Sequence, residues 1–141
     1  MSEPYSNVYN KIDFNQILLV CAPSNLCTEY RKVIKDSSCA KDSLSVRHEA
    51  FSDDLINSLY LNKSDQFMNK YTTCSLLFFY DIEFATNKPN VQLEIYNVLK
   101  ARMQNNLKTI IFSNCSAEKL KSVLCDNLYS LITSEIIHDD F

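Results

Sequence analysis

Glycine is absent from all 141 residues of this chain, where ordinary usage near ~7% would place roughly ten. That absence excludes phosphate loops that rely on glycine to bring backbone N–H groups against an anion. It also leaves every turn to Asn, Asp, Ser or Pro, with Asn filling left-handed positions. Long apolar runs are missing too: the longest, Ile17 to Ala22 and Leu76 to Tyr80, are far too short to span a bilayer. Met1-Ser-Glu-Pro-Tyr5 lacks the basic and apolar regions of a signal peptide, so a cytoplasmic protein without membrane contact is expected. Positive charge is not in surplus, with 14 Lys and Arg against 17 Asp and Glu for a net charge of −3. A general electrostatic pull toward nucleic acid is thereby removed. Six cysteines are present, Cys21, Cys27, Cys39, Cys74, Cys115 and Cys125. None forms a C-x-x-C pair, so free, buried thiols are expected.

What is present is a foldable core, with 46% hydrophobic residues and mixed charge in a chain of single-domain length. Strand-like apolar runs at Ile17–Cys21, Leu44–Glu49, Ser75–Asp81, Thr109–Ser113 and Ser134–His138 alternate with segments of helical period. The helical segments are placed at Ser24–Lys35, Ser52–Asn62, Asn90–Asn105 and Ala117–Leu131. This alternation predicts an α/β domain, a three-layer αβα sandwich around a five-stranded parallel sheet. The third helix has the clearest start, with Pro89 before it and Val91, Ile95, Val98, Leu99 and Arg102 on its stripe. Residues 1–15 are expected to form an N-terminal arm, carrying Tyr5 and Tyr9, ahead of one domain over residues 16–141. Residues Asn62 to Thr73, rich in Lys, Asn and Ser, are expected to be a connector.

The junction of the first strand with the following helix carries the first chemical signal. Gln16-Ile-Leu-Leu-Val-Cys-Ala22 followed by Pro23-Ser-Asn-Leu-Cys-Thr-Glu29 has the outline of a phosphate-binding strand, loop and helix. A working loop of this kind needs glycines, a lysine for the β- and γ-phosphates and a hydroxyl for magnesium. The glycine positions here carry Ala22, Asn25 and Cys27, the lysine position Thr28 and the hydroxyl position Glu29. No nucleotide, magnesium or other cofactor is expected at such a loop. Asp81 and Glu83 suggest an acid and base pair only if the third strand runs through both, and neither has a histidine or nucleophile beside it in sequence. His48 and His138 read as solvated strand-edge residues. Arg31, Lys32, Lys35, Lys100 and Arg102 read as scattered solvated charge, with DNA contact left open.

Four patches in order carry a resemblance. The degenerate phosphate loop comes first, then Leu76-Leu-Phe-Phe-Tyr-Asp-Ile-Glu-Phe84, then Lys108-Thr-Ile-Ile-Phe-Ser-Asn-Cys115, then Leu124-Cys-Asp-Asn-Leu-Tyr-Ser130. Together they resemble the AAA+ ATPase core of the DnaA replication initiators and of their shortened relative Hda. The resemblance implies a P-loop NTPase fold, with Tyr80 and Asp81 at the Walker B acids and Asn114 at sensor 1. The arginines that the family carries in the last patch are replaced by Asn127, Tyr129 and Leu131. A phenol at Tyr80 is a poor substitute for a carboxylate at Mg²⁺. The resemblance runs from about Gln16 to Phe141 and includes neither the family's helical lid nor its DNA-binding domain.

Loss of the glycines, the lysine and hydroxyl, the first acid and the arginines together implies a pseudo-ATPase, not an enzyme. The expected role is an interaction module in bacterial replication initiation or its regulation, with an initiator or helicase loader as protein partner. Two rivals remain: a nucleotide-binding protein with a rebuilt loop in which Glu29 reaches magnesium, and an unrelated α/β scaffold. In the latter, Cys21, Cys27 and Cys115 would have a metal or redox role.

Overall fold

The computed structural model describes residues 15–37 and 42–138. The arm placed at residues 1–15, Asn15 excepted, and Cys39 lie outside the described residues, as do residues 139–141. The elements run β1 (Ile17–Cys21), α1 (Ser24–Ser37), β2 (Ser43–Arg47), α2 (His48–Tyr60), α3 (Ser64–Thr72) and β3 (Leu76–Tyr80). A 3₁₀ turn (Ile82–Ala85), α4 (Pro89–Gln104), β4 (Lys108–Ser113), α5 (Ala117–Val123), α6 (Asp126–Ile132) and β5 (Ile136–His138) complete the order.

All strand pairings are parallel and the sheet order is β2-β3-β4-β1-β5. The sequence explains who sits where. β1, β3 and β4 are apolar on both faces, as strands covered by helices on each side must be. β2 alternates, burying only Val46 fully, and β5 is three residues long; these two form the edges. Among the described residues, α1 is the helix that covers one face of the sheet, with Cys27, Tyr30 and Ile34 packed on Leu18, Val20, Phe78, Ile110 and Phe112. The other five helices cover the opposite face, where Phe51 meets Phe67, Tyr71 and Phe79 at ring-centroid distances of 5.1 to 5.3 Å. The three-layer sandwich read from the sequence is the architecture observed.

With no glycine to take left-handed backbone, Asn62, Asn87, Asn106 and Asp81 adopt it, with φ between 54° and 64°. Asn62 and Asn106 stand where a helix-terminating glycine usually stands. In each case the next residue bonds back across the turn, Lys63 N–H to Ser58 C=O at 2.8 Å and Leu107 N–H to Arg102 C=O at 2.9 Å.

Four local readings need correction. The connector expected at residues 62–73 holds the helix α3, because Phe67 and Tyr71, one turn apart, are both buried. The last helix is two, since Leu124 and Cys125 are extended and the Cys125 N–H donates to Gln92 Oε1 at 2.7 Å. The second strand stops at Arg47, and His48 opens α2 with its ring buried edge-on against Phe84 instead of lying solvated at an edge. Arg102 is fully buried. Its Nε donates to Thr109 Oγ1 at 2.8 Å, Nη1 to the Tyr71 and Cys74 carbonyls at 3.0 and 2.9 Å, and Nη2 to the Lys108 carbonyl at 2.8 Å. Carbonyls at the C-terminal end of α3 replace the missing carboxylate partner.

Candidate functional site

Parallel strands of this order bring their carboxyl ends to one edge, the usual place for a ligand in an α/β sheet. Arg47, Tyr80, Ser113 and Cys21 end the first four strands along that edge. The β1 to α1 connection consists of Ala22 and Pro23 alone. Helical bonding begins at once, with Cys27 N–H donating to the Pro23 carbonyl at 3.0 Å, and Ala22 N–H is tied to Ser113 C=O at 3.0 Å. Two of the amides at this junction, those of Ala22 and Cys27, are thus already committed to backbone carbonyls. The Thr28 hydroxyl donates back to the Ser24 carbonyl at 3.2 Å.

Cys27 fills what space the junction leaves. Its Sγ donates to the Ala22 carbonyl at 3.3 Å and lies 4.0 Å from Asn114 Oδ1. The cleft that remains measures about 50 Å³ and is lined by Ser24, Cys27, Thr28, Arg47, Tyr80, Asp81, Phe112 and Asn114. Small-molecule sites are typically ~300–1,000 Å³, and this cleft lies well below that range.

At the end of β3 the Tyr80 ring stacks on Phe112, 4.7 Å away and 21° off parallel, with the Arg47 guanidinium 5.3 Å above it. Burial pushes the Tyr80 phenol above its ordinary range, so it is a neutral ring at physiological pH and offers magnesium no charge. Asp81 breaks out of the strand into left-handed backbone and pairs with Arg47 at 2.9 Å. Because the strand ends before it, Asp81 and Glu83 do not act as a period-two pair. The Glu83 Oε2 instead accepts from Asn114 N–H at 3.3 Å, while its Oε1 is buried with no partner among the described residues. Around Tyr80 two cations, Arg31 and Arg47, face the carboxylate of Asp81, which pairs with Arg47.

The thiols at this edge are held neutral. Burial, then the nearby Cys115 and Glu83, pushes Cys21 up to about 12. Burial, then Glu83 and Cys21, does the same for Cys27, and burial leads the upward shift of Cys115. Among the described residues no three or more His, Cys, Asp and Glu side chains are grouped to hold a metal ion. A thiolate nucleophile needs the opposite environment.

Of the residues singled out in the sequence, Cys27, Thr28, Tyr80, Asp81 and Asn114 line one cleft and Ala22 accepts from the Cys27 thiol behind it. Asn25 and Glu29 are not among its lining residues. Arg47 was missed because the second strand was expected to run on to Glu49; it ends at Arg47, and the β2–β3 register sets this arginine beside Tyr80 and one residue from Asp81.

The family model of the bacterial DnaA ATPase domain matches residues 26–138. The chain is 31% identical over 94 residues to the chromosomal replication initiator protein DnaA of Thermomicrobium roseum, covering 67% of this chain and 20% of that protein. To the same protein of Lactobacillus helveticus it is 35% identical over 69 residues, 49% of this chain and 15% of that protein. The chain thus spans about a fifth or less of the length of these relatives. In structure it resembles domain III of the Thermotoga maritima replication initiation protein DnaA, with a TM-score of 0.80 and 18% identity over 99% of this chain and 64% of that one. It also resembles the DnaC helicase loader, with a TM-score of 0.75 and 17% identity over 96% of this chain and 87% of that one.

Proposed function

The chain belongs to the family of the bacterial DnaA ATPase domain, and from that premise we propose that it is a AAA+-shaped interaction module of DNA replication initiation or its control that does not turn over ATP. The observation that carries this reading is the filled cleft. Cys27 occupies the strand-helix junction, and Arg47 and Asp81 neutralise each other where the phosphates and magnesium of an active site would sit. Losses at Ala22, Asn25, Cys27, Thr28, Glu29 and Tyr80 support it further, since each removes a different part of the same apparatus.

Residues 16–141 form the module and residues 1–15 its arm, and the site is the cytoplasm, where the replication apparatus works. The partner is a protein of replication initiation, either an initiator or a helicase loader, in keeping with the likeness to both classes of structure. It acts by occupying a subunit interface, so affinity and abundance set its effect. Binding of a nucleotide through Glu29 is disfavoured by that residue's place outside the cleft lining.

Calorimetric titration with ATP and with ADP, each with Mg²⁺, tests the reading. No heat of binding is expected at millimolar nucleotide; micromolar binding overturns it and makes Thr28, Glu29 and Asp81 the residues to mutate.

A further inference from the structure

Two thiols at the carboxyl edge face away from the cleft. Side chains alternate along β1, so Ile17, Leu19 and Cys21 join the core beneath α2 to α6, while Leu18 and Val20 join the core beneath α1. Cys27 belongs to the α1 core and lies on the other side of the sheet from Cys21, whereas Cys115 packs against the core that holds Cys21.

The backbone brings Cys115 to Cys21 through Ser113. In the β1–β4 register Cys21 is the partner of Ser113, and residues so paired lie ~4.8 Å apart with their side chains on one face. The chain then turns back over that serine. Cys115 N–H donates to Ser113 Oγ at 3.0 Å, Ser113 Oγ donates to the Cys115 carbonyl at 3.3 Å, and the Cys115 thiol also hydrogen-bonds the Ser113 side chain. Both cysteines therefore flank one serine side chain, an arrangement compatible with the ~4.4–6.8 Å between Cα atoms that a disulfide spans. Their accessibility differs: Cys115 is half-buried, whereas Cys21 is 0% exposed.

We propose that Cys21 and Cys115 are a dithiol site that low-molecular-weight disulfides of the glutathione type oxidise to an intramolecular disulfide. The Cys115 sulfur, which solvent reaches, attacks one sulfur of the oxidant and expels one glutathione, leaving a mixed disulfide. The Cys21 sulfur then attacks the Cys115 sulfur, breaks that mixed bond and expels the second glutathione. The two thiol protons and the two electrons of the dithiol end on the two glutathiones. Burial, then Cys115 and Glu83, holds Cys21 neutral, and Cys115 faces Glu83 and Lys119, so exchange is slow at neutral pH and speeds up as pH rises. The same environment makes Cys21 a poor leaving group, so the bond once formed resists reduction. It ties the end of β1 to the turn that carries Asn114. The inference goes beyond the functional reading above and does not depend on whether nucleotide binds.

Incubation of the dilute full chain in glutathione redox buffers tests it, at neutral and at mildly alkaline pH. Free thiols are then alkylated in denaturant and the cysteine peptides mapped by mass spectrometry. The peptides of Cys21 and Cys115 are expected joined, forming several-fold faster at the alkaline pH, in a chain that circular dichroism shows folded. Cys21→Ala should leave glutathione unresolved on Cys115, and Cys115→Ser should leave Cys21 a free thiol at every glutathione ratio. Exposed Cys125 serves as the internal control for oxidation. Cys21 and Cys115 both free when Cys125 carries glutathione throughout overturns the proposal. A pairing of Cys21 with Cys27, or a bond formed only in unfolded chain, overturns it as well.

Discussion

At the amino end of the sheet a fully buried arginine makes four well-formed hydrogen bonds to the residues that start β3 and β4 or end α3; at the carboxyl end a half-exposed arginine makes one ion pair over a tyrosine ring. Arg102 is fully buried, so its donors must find acceptors within the protein. Arg47 is 66% exposed in its side chain while Asp81 is 14% exposed, so solvent screens the pair and its geometry is loosely held. One end of the molecule is built to a tolerance that folding demands. The other has polar groups that merely fill and neutralise, with Glu83 Oε1 left unpartnered. The difference teaches that the amino end of the sheet is held by buried, fully directed hydrogen bonds and the carboxyl edge by a solvent-screened pair, so the two ends differ in what a substitution costs.

That contrast is broken most severely by Arg102→Met, which strands the Tyr71, Cys74 and Lys108 carbonyls in the interior. A loss of about 3–5 kcal/mol is expected, read as a lower urea midpoint at unchanged slope. If the loss is under ~1 kcal/mol, the latch at the amino end has been misjudged. Next in size is Gln92→Leu. Gln92 is buried, and its Nε2 donates to the Ala85 carbonyl at 2.8 Å while its Oε1 accepts from the Cys125 N–H. Leaving those two backbone groups unpaired should lower stability by about 1–3 kcal/mol in the same assay. At the carboxyl end Arg47→Ala should cost less than about 1 kcal/mol; an effect as large as that of Arg102→Met would erase the comparison.

The smallest effect is a slope with pH. Burial, reinforced by Lys88 and opposed by Asp81 and Glu49, holds the His48 imidazolium below its ordinary pKa. The unfolded chain therefore takes up the proton first. The stability that neutral His48 confers is present above about pH 6.5 and is lost as pH falls from there through the lowered folded value. Thermal melting between pH 7.5 and 5 should show this loss in the native chain and a shallower one in His48→Gln.

How much of this was legible in the sequence depended on whether the signal was local. The central strands declared themselves because residues 17–21, 76–79 and 110–112 are buried on both faces and so carry unbroken apolar runs. That Cys27, Thr28, Tyr80, Asp81 and Asn114 come to one edge was legible because they sit at or just beyond strand ends, whereas Arg47 beside them was not. Helix α3 was not, since only Phe67 and Tyr71 anchor it in a polar segment and their partners Phe51 and Asp54 come from α2. The break at Leu124 and Cys125 depends on Gln92, about thirty residues away. Arg102 is the sharpest case: a charged residue on a helical stripe normally reads as solvated, and only the three-dimensional arrangement of carbonyls gives it a buried place.

The asparagines that stand in for glycine also bear on how long each molecule remains chemically intact. An Asn side chain ages when the backbone nitrogen of the following residue attacks its amide carbon, expelling ammonia and closing a cyclic imide. That attack is fastest when the following residue is glycine. Asn62, Asn87 and Asn106 are instead followed by Lys63, Lys88 and Leu107, whose side chains hinder the approach. A chain without glycine therefore contains none of the steps at which this clock runs fastest, even though its turns are built from the residue that carries the clock.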